Sequence, residues 1–185
     1  MKIAIVLILC GLIAACDGQQ SGGGESYYYN QITGWQSKEL EYRDFEEADA
    51  GERMSRDEVW NFLRSLNVRY VGENKDRWQD SLETESAGGG DCEDLANYYL
   101  LRLMDSGRFA DRDVICLILD LEKAKQDHVV LTVRDRQGVW WVFDQNNAAP
   151  YPWRLERYLD LVSAEIILAY NLFDIWEEDF PQFAR

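Results

Sequence analysis

The stretch Gly88-Gly89-Gly90-Asp91-Cys92-Glu93-Asp94-Leu95-Ala96 decides how this chain of 185 residues is read. Three successive glycines break whatever precedes them, and Asp91 is of the residue type that caps a new helix. From Cys92 to about Asp105 the pattern is helical: Cys92, Leu95, Ala96, Tyr99 and Leu103 fall on one face, and Gly107 stands just past the end, where helices stop. A cysteine in a first helical turn lies among free backbone N–H groups at the positive end of the helix dipole, and both favour a thiolate. The helical phase turns Cys92 toward the core. Two plainer accounts stay open on position alone, a small buried core residue and one half of a disulfide with Cys116.

Upstream, Ser55-Arg56-Asp57-Glu58 has the spacing of a reciprocal capping box. Val59, Phe62, Leu63 and Leu66 follow at helical spacing, which predicts a helix over 56–66. Val68 to Val71 reads as extended, and Glu73 to Ser86 as mostly loop. Downstream the period changes from 3.6 to 2. Val114 to Leu121 is an apolar, β-branched run that predicts a buried strand. His128 to Arg134, Gly138 to Asp144 and Glu165 to Ala169 predict three more, with Asp135-Arg136-Gln137-Gly138 as a tight turn. Helices first and then an antiparallel meander make the fold class α+β, with the cysteine helix packed on the sheet. The aromatic and acidic C-terminal tail is expected to pack back on the core.

His128 is the chain's one histidine, and it opens a strand whose partner ends at Asp144. A hairpin closed by Asp135 to Gln137 sets the two directly opposite, with Cβ atoms about 5 Å apart. A loop one residue longer spoils that pairing unless a bulge at Gly138 restores it. A helix-start thiol, a base and a carboxylate to orient it are what a cysteine hydrolase needs. Their order, Cys92, His128, Asp144, is that of papain-like enzymes.

The run Gly90-Asp91-Cys92-Glu93-Asp94-Leu95-Ala96 resembles the nucleophile motif of the bacterial transglutaminase-like cysteine proteinases of the LapG type, within the transglutaminase-like superfamily. His128-Val129-Val130-Leu131 resembles that family's His-Met-Val-Leu. Val142-Phe143-Asp144-Gln145-Asn146 resembles its aliphatic-Leu-Asp-Asn run. The resemblance covers about residues 56–150, with Leu95 in place of the usual Tyr and Gln145 where Asn is common. It implies a papain/transglutaminase-like core and a Cys92-His128-Asp144 triad. It also implies an acyl-enzyme formed on a protein or peptide substrate of the cell envelope, with no cofactor required for the chemistry. Calcium held by Asp91 and Glu93 is implied by the same family. Acyl transfer to an amine, as in a transglutaminase, and a non-catalytic binding module are the alternatives. The Asp-Cys-Ser-Gly motif of cell-wall peptide amidases is absent.

The N-terminus speaks to compartment. Met1-Lys2 and the uncharged run Ile3 to Ala15 make a signal peptide over 1–15. Leu12-Ile13-Ala14-Ala15-Cys16 resembles the lipobox of bacterial lipoproteins, which implies a lipid on Cys16. Asp17 resembles an inner-membrane retention signal. The expected location is therefore the periplasmic side of a bacterial membrane, the inner one favoured. Residues 16–30 are polar and glycine-rich and read as a flexible tether, leaving 31–185 as one domain. A formal net charge of −15 repels phosphate backbones and argues against nucleic-acid binding. With Cys10 in the signal and Cys16 lipidated, two cysteines remain, too few for a disulfide scaffold.

Overall fold

A computed structural model of the protein describes residues 25–42, 52–72, 77–121, 126–144 and 152–176. The signal, Cys16 and the C-terminal tail lie outside the described residues.

The first helix, α1 (Glu25–Tyr42), begins inside the segment expected to be tether, so the domain boundary moves from 31 to about 25. Tyr28, Ile32, Trp35 and Glu39 recur at helical spacing and are all buried. Trp35 meets Tyr170 edge-on at 6.0 Å, and Glu39 accepts hydrogen bonds from the backbone and hydroxyl of Ser81. A stripe of this kind contributes about 1.5–3 kcal/mol for each large apolar side chain it buries, enough to order residues that composition alone leaves free. Helix α2 (Arg56–Ser65) has the expected cap and apolar face. The short strand β1 (Arg69–Tyr70) follows.

The stretch read as loop contains a helix, α3 (Ser81–Ala87). Its cap is a second reciprocal box, Asp80 with Glu83, followed by Gly88 in the left-handed conformation. The box is visible in the sequence; the lack of a long apolar face hid it. Strand β2 (Gly89–Gly90) then pairs in parallel with β1 and delivers the chain to α4 (Cys92–Asp105).

After a 3₁₀ turn at Asp111–Asp113 come β3 (Val114–Leu121), β4 (Gln126–Arg134), β5 (Trp140–Phe143) and β6 (Trp153–Arg154). They form the expected antiparallel meander. Helix α5 (Leu155–Val162) then carries the chain across to β7 (Ala164–Tyr170), and β8 (Ile175–Trp176) ends the sheet. The strand order is β6-β5-β4-β3-β7-β8, so β7 does not extend the meander; it pairs with β3 on its other side. The reason is layering. One sheet face, with Cys116, Ile118, Val129 and Leu131, is covered by α4 and α1. The other, with Leu117, Leu119, Val130 and Val142, buries Leu155, Tyr158 and Val162 of α5. The helix that covers the second face brings the chain back along the free edge of β3.

Candidate active site

The glycines before α4 serve close packing. A Cβ on Gly89, whose φ is +151°, would lie 1.9 Å from the carbonyl oxygen of Arg69, and one on Gly90 would lie 2.4 Å from Cβ of Asp94. Only glycine lets β2 press against β1 and against the first turn of α4. Cys92 opens that turn with 1 % of its surface exposed.

Asp91 occupies the cap position in extended conformation, yet its side chain makes no cap hydrogen bond. Its carboxyl bonds instead to Glu93, itself fully buried. The thiol of Cys92 donates to Glu93 Oε2 at 3.2 Å, and Asp94 Oδ1 accepts the backbone N–H of Gln79 at 2.7 Å. Burial pushes the Glu93 carboxyl well above the usual carboxylate range; the charge and hydrogen bond of Asp91, then the charge of Asp94, add to it. A neutral Glu93 leaves the helix dipole unopposed at the thiol. An ionised one would oppose thiolate formation by like charge.

His128 stands on β4, buried and paired with Leu119 across the ladder. Its Nε2 lies 3.1 Å from Asp144 Oδ1, so the sequence's histidine and aspartate do come together. They do so in a different register. Leu131 pairs with Phe143 and Arg134 with Trp140, which sets the residue after Phe143 opposite Val130 rather than His128. The loop is Arg136 to Gly138, one position later than expected. Asp135 is the cause: its Oδ1 accepts the N–H groups of Gln137 and Val139, and its Oδ2 the indole N–H of Trp141. Moving a loop by one position shifts the register by two, and side chains alternate with period two. His128 and Asp144 therefore keep a common side and meet on the diagonal. Asp144 Oδ2 accepts a further hydrogen bond, 2.8 Å, from the hydroxyl of Tyr158 on α5. Tyr158 carried no signal of its own in the sequence, because with Leu155 and Val162 it reads as an ordinary core stripe.

Cys92 and Cys116 are both free thiols. Cys116 lies inside β3, where burial pushes its thiol far up. Among the described residues, no group of three or more His, Cys, Asp or Glu is arranged to hold a metal ion.

A helix opened by cysteine, packed on an antiparallel sheet that carries a histidine bonded to an aspartate, defines an α+β architecture. It is the fold of the LapG protein of Legionella pneumophila. The calcium-bound structure of that protein superposes with a TM-score of 0.52 at 15% identity, over 96% of this chain and 89% of that one. A second LapG structure gives 0.52 at 17% identity, over 96% and 87%, and the EGTA-treated form gives 0.52 at 16%, over 95% and 86%. At these identities the likeness is one of fold. No family model and no curated protein matches the sequence.

Proposed function

We propose that the protein is a cysteine peptidase-like hydrolase in which Cys92 is the nucleophile, His128 the base and Asp144 its orienting partner. The observation that carries this is the His128–Asp144 hydrogen bond on the strand against which α4 packs. With Nε2 directed at Asp144, the nitrogen for the thiol proton is Nδ1. His128 takes that proton, and sulfur attacks the carbonyl carbon of an amide. A C–S bond forms while the carbonyl electron pair moves to oxygen, held by backbone N–H groups at the start of α4. Trp78, whose buried indole N–H has no acceptor among the described residues, and a loop amide upstream of Cys92 are the candidates for a second donor to that oxygen. Collapse breaks the C–N bond, and the imidazolium proton leaves with the amine. Water, deprotonated by His128, then cleaves the thioester and restores the thiol.

Calcium belongs to the proposal through Asp91 and Glu93. Carboxylate oxygens are what calcium takes, and Glu93 Oε1 is buried with no hydrogen-bond partner among the described residues. A cation bound there offsets negative charge beside the thiol. The similar LapG structure is described as calcium-bound. The setting we propose is the periplasmic face of a bacterial membrane, with a lipid on Cys16 as anchor and a cell-envelope protein or peptide as substrate.

Alkylation by iodoacetamide with peptide mapping tests the core of this reading. Cys92 is expected to react far faster than Cys116, and His128→Ala to slow it. Equal rates for the two thiols, or a Cys92 rate indifferent to His128, would overturn the assignment. In a parallel arm, Cys16→Ser is expected to release the protein from membranes, and retention defeats the anchor.

A further inference from the structure

Asp144 lies one residue beyond the end of β5, so the ladder does not set the direction of its carboxylate. The register shift adds to the difficulty. A directly opposed pair would have Cβ atoms about 5 Å apart, whereas diagonal neighbours stand roughly 7–8 Å apart and depend on side-chain orientation to meet. Something other than the strand must aim Asp144 at the imidazole. The structure offers Tyr158. Its ring is 1 % exposed, in the core that also holds Leu119 and Val130, the cross-strand and same-strand neighbours of His128. Its hydroxyl bonds Asp144 Oδ2 at 2.8 Å, while Oδ1 is left to His128 Nε2 at 3.1 Å.

We infer that Tyr158 is a positioning residue for the Cys92-His128-Asp144 site. It divides the two oxygens of Asp144 so that one faces Nε2, fixing the proton on Nε2 and leaving Nδ1 to act as base. This rests on the functional reading above and extends it. The physical content is a chain of two hydrogen bonds, phenol to carboxylate and imidazole N–H to carboxylate. Each is charge-assisted, and they run through groups withdrawn from water. It anchors the base from α5, which covers the sheet face opposite α4. The same logic governs histidines elsewhere: the partner of one ring nitrogen decides what the other can do.

The test uses the fact that the chain has one histidine. In full-length protein carrying ¹⁵N-labelled histidine, the imidazole nitrogen signals belong to His128 alone. The wild type is expected to hold a single Nε2–H tautomer when neutral. Tyr158→Phe, which removes the hydroxyl and keeps the ring, is expected to give mixed tautomers. It should also slow iodoacetamide alkylation of Cys92 about tenfold, the loss of one hydrogen bond to a charged group. Asp144→Asn should do at least as much, and the double variant no more than Asp144→Asn alone. If Asp144→Asn changes tautomer and rate while Tyr158→Phe leaves both untouched, Tyr158 is merely structural and the inference falls by itself. If Asp144→Asn leaves both untouched, the functional reading falls with it. Should Tyr158→Phe fail to fold, 3-fluorotyrosine at position 158 keeps the shape and strengthens the donor. The His128 nitrogen shifts must then move, and unmoved shifts overturn the inference.

Discussion

Helices α2 and α4 each begin with a short polar residue followed by acids, and they use those acids in opposite ways. At α2, Ser55 and Glu58 cap each other reciprocally on the surface. The serine oxygen accepts the N–H of Glu58, the glutamate accepts the N–H of Ser55 at 2.8 Å, and Arg136 bonds the same carboxylate. The hydrogen bonds from Ser55 hold the Glu58 carboxyl below its ordinary range. At α4, Asp91 makes no cap bond, and Glu93 and Asp94 are buried. Burial and neighbouring acids raise the Glu93 carboxyl, with the nucleophile candidate leaning on it. The residue types are alike and the helix dipole is the same. What differs is the solvent: water around one start lets charge stabilise the helix, and its exclusion from the other makes charge costly. One start stabilises the fold, whereas the other holds strained electrostatics at a site, as functional positions often do.

The comparison breaks most severely at the glycines that deliver the chain to α4. Gly89→Ala must place a methyl group 1.9 Å from the Arg69 carbonyl oxygen at a φ of +151°. Denaturant unfolding is expected to show a loss on the order of 3 kcal/mol or failure to fold. Gly138→Ala, at φ +79° with nothing within 4 Å of the added atom, is expected to lose only about 1 kcal/mol. Similar losses at the two positions would mean that β2 is not pressed onto β1.

A smaller effect with a diagnostic sign is expected at Glu93. A carboxyl whose native pKa is raised holds its proton more tightly folded than unfolded. Its contribution is therefore present below the ordinary carboxylate pKa of about 4.3 and is lost as pH rises through the native value. Glu93→Gln, neutral at all pH, should thus melt higher than wild type at pH 8 by about 1–2 kcal/mol of stability, measured in chelator, and show no advantage at pH 4. A wild type more stable than the variant at pH 8 would mean that Glu93 is well solvated or paired when ionised.

Glu58 should give the opposite slope, because a lowered carboxyl contributes above the ordinary pKa and loses that contribution as pH falls through its native value. Ser55→Ala is expected to cost about 1 kcal/mol at pH 7. That cost should shrink as pH falls through the lowered native value of Glu58, and Cys92 alkylation should stay at its wild-type rate. A change in thiol reactivity on loss of Ser55 would show that the two helix starts are not independent.

Much of this was legible in the chain. The bounds of α4 and β3 coincide with the expected ones, and α2 ends one residue earlier. Strong periodicity in a long element leaves little room for another reading. The short polar helix α3 has a cap but no long apolar face, so hydrophobic periodicity does not mark it. The start of α1 escaped because Glu25 and Ser26 continue the polar composition of the segment before them, and the burial of Tyr28 exists only once β4 is in place to supply Asp127 as its hydrogen-bond partner.

The sequence by itself determined which residues could do chemistry. A cysteine after three glycines at a helix start, one histidine and an aspartate at a strand end are local facts, set by backbone breaks and periods of 3.6 and 2. It determined the α+β class for the same reason. Tertiary structure decided the rest, because each remaining question concerned a distance between segments far apart in the chain. Asp135 moved the turn and shifted the register by two, and α5 turned the fourth long strand back onto β3. Burial of α4 against the sheet reversed the behaviour of an acid that local pattern reads as a cap. The contact of Tyr158 with Asp144, the member of the site least visible in the sequence, exists only because a helix covers the second face of the sheet.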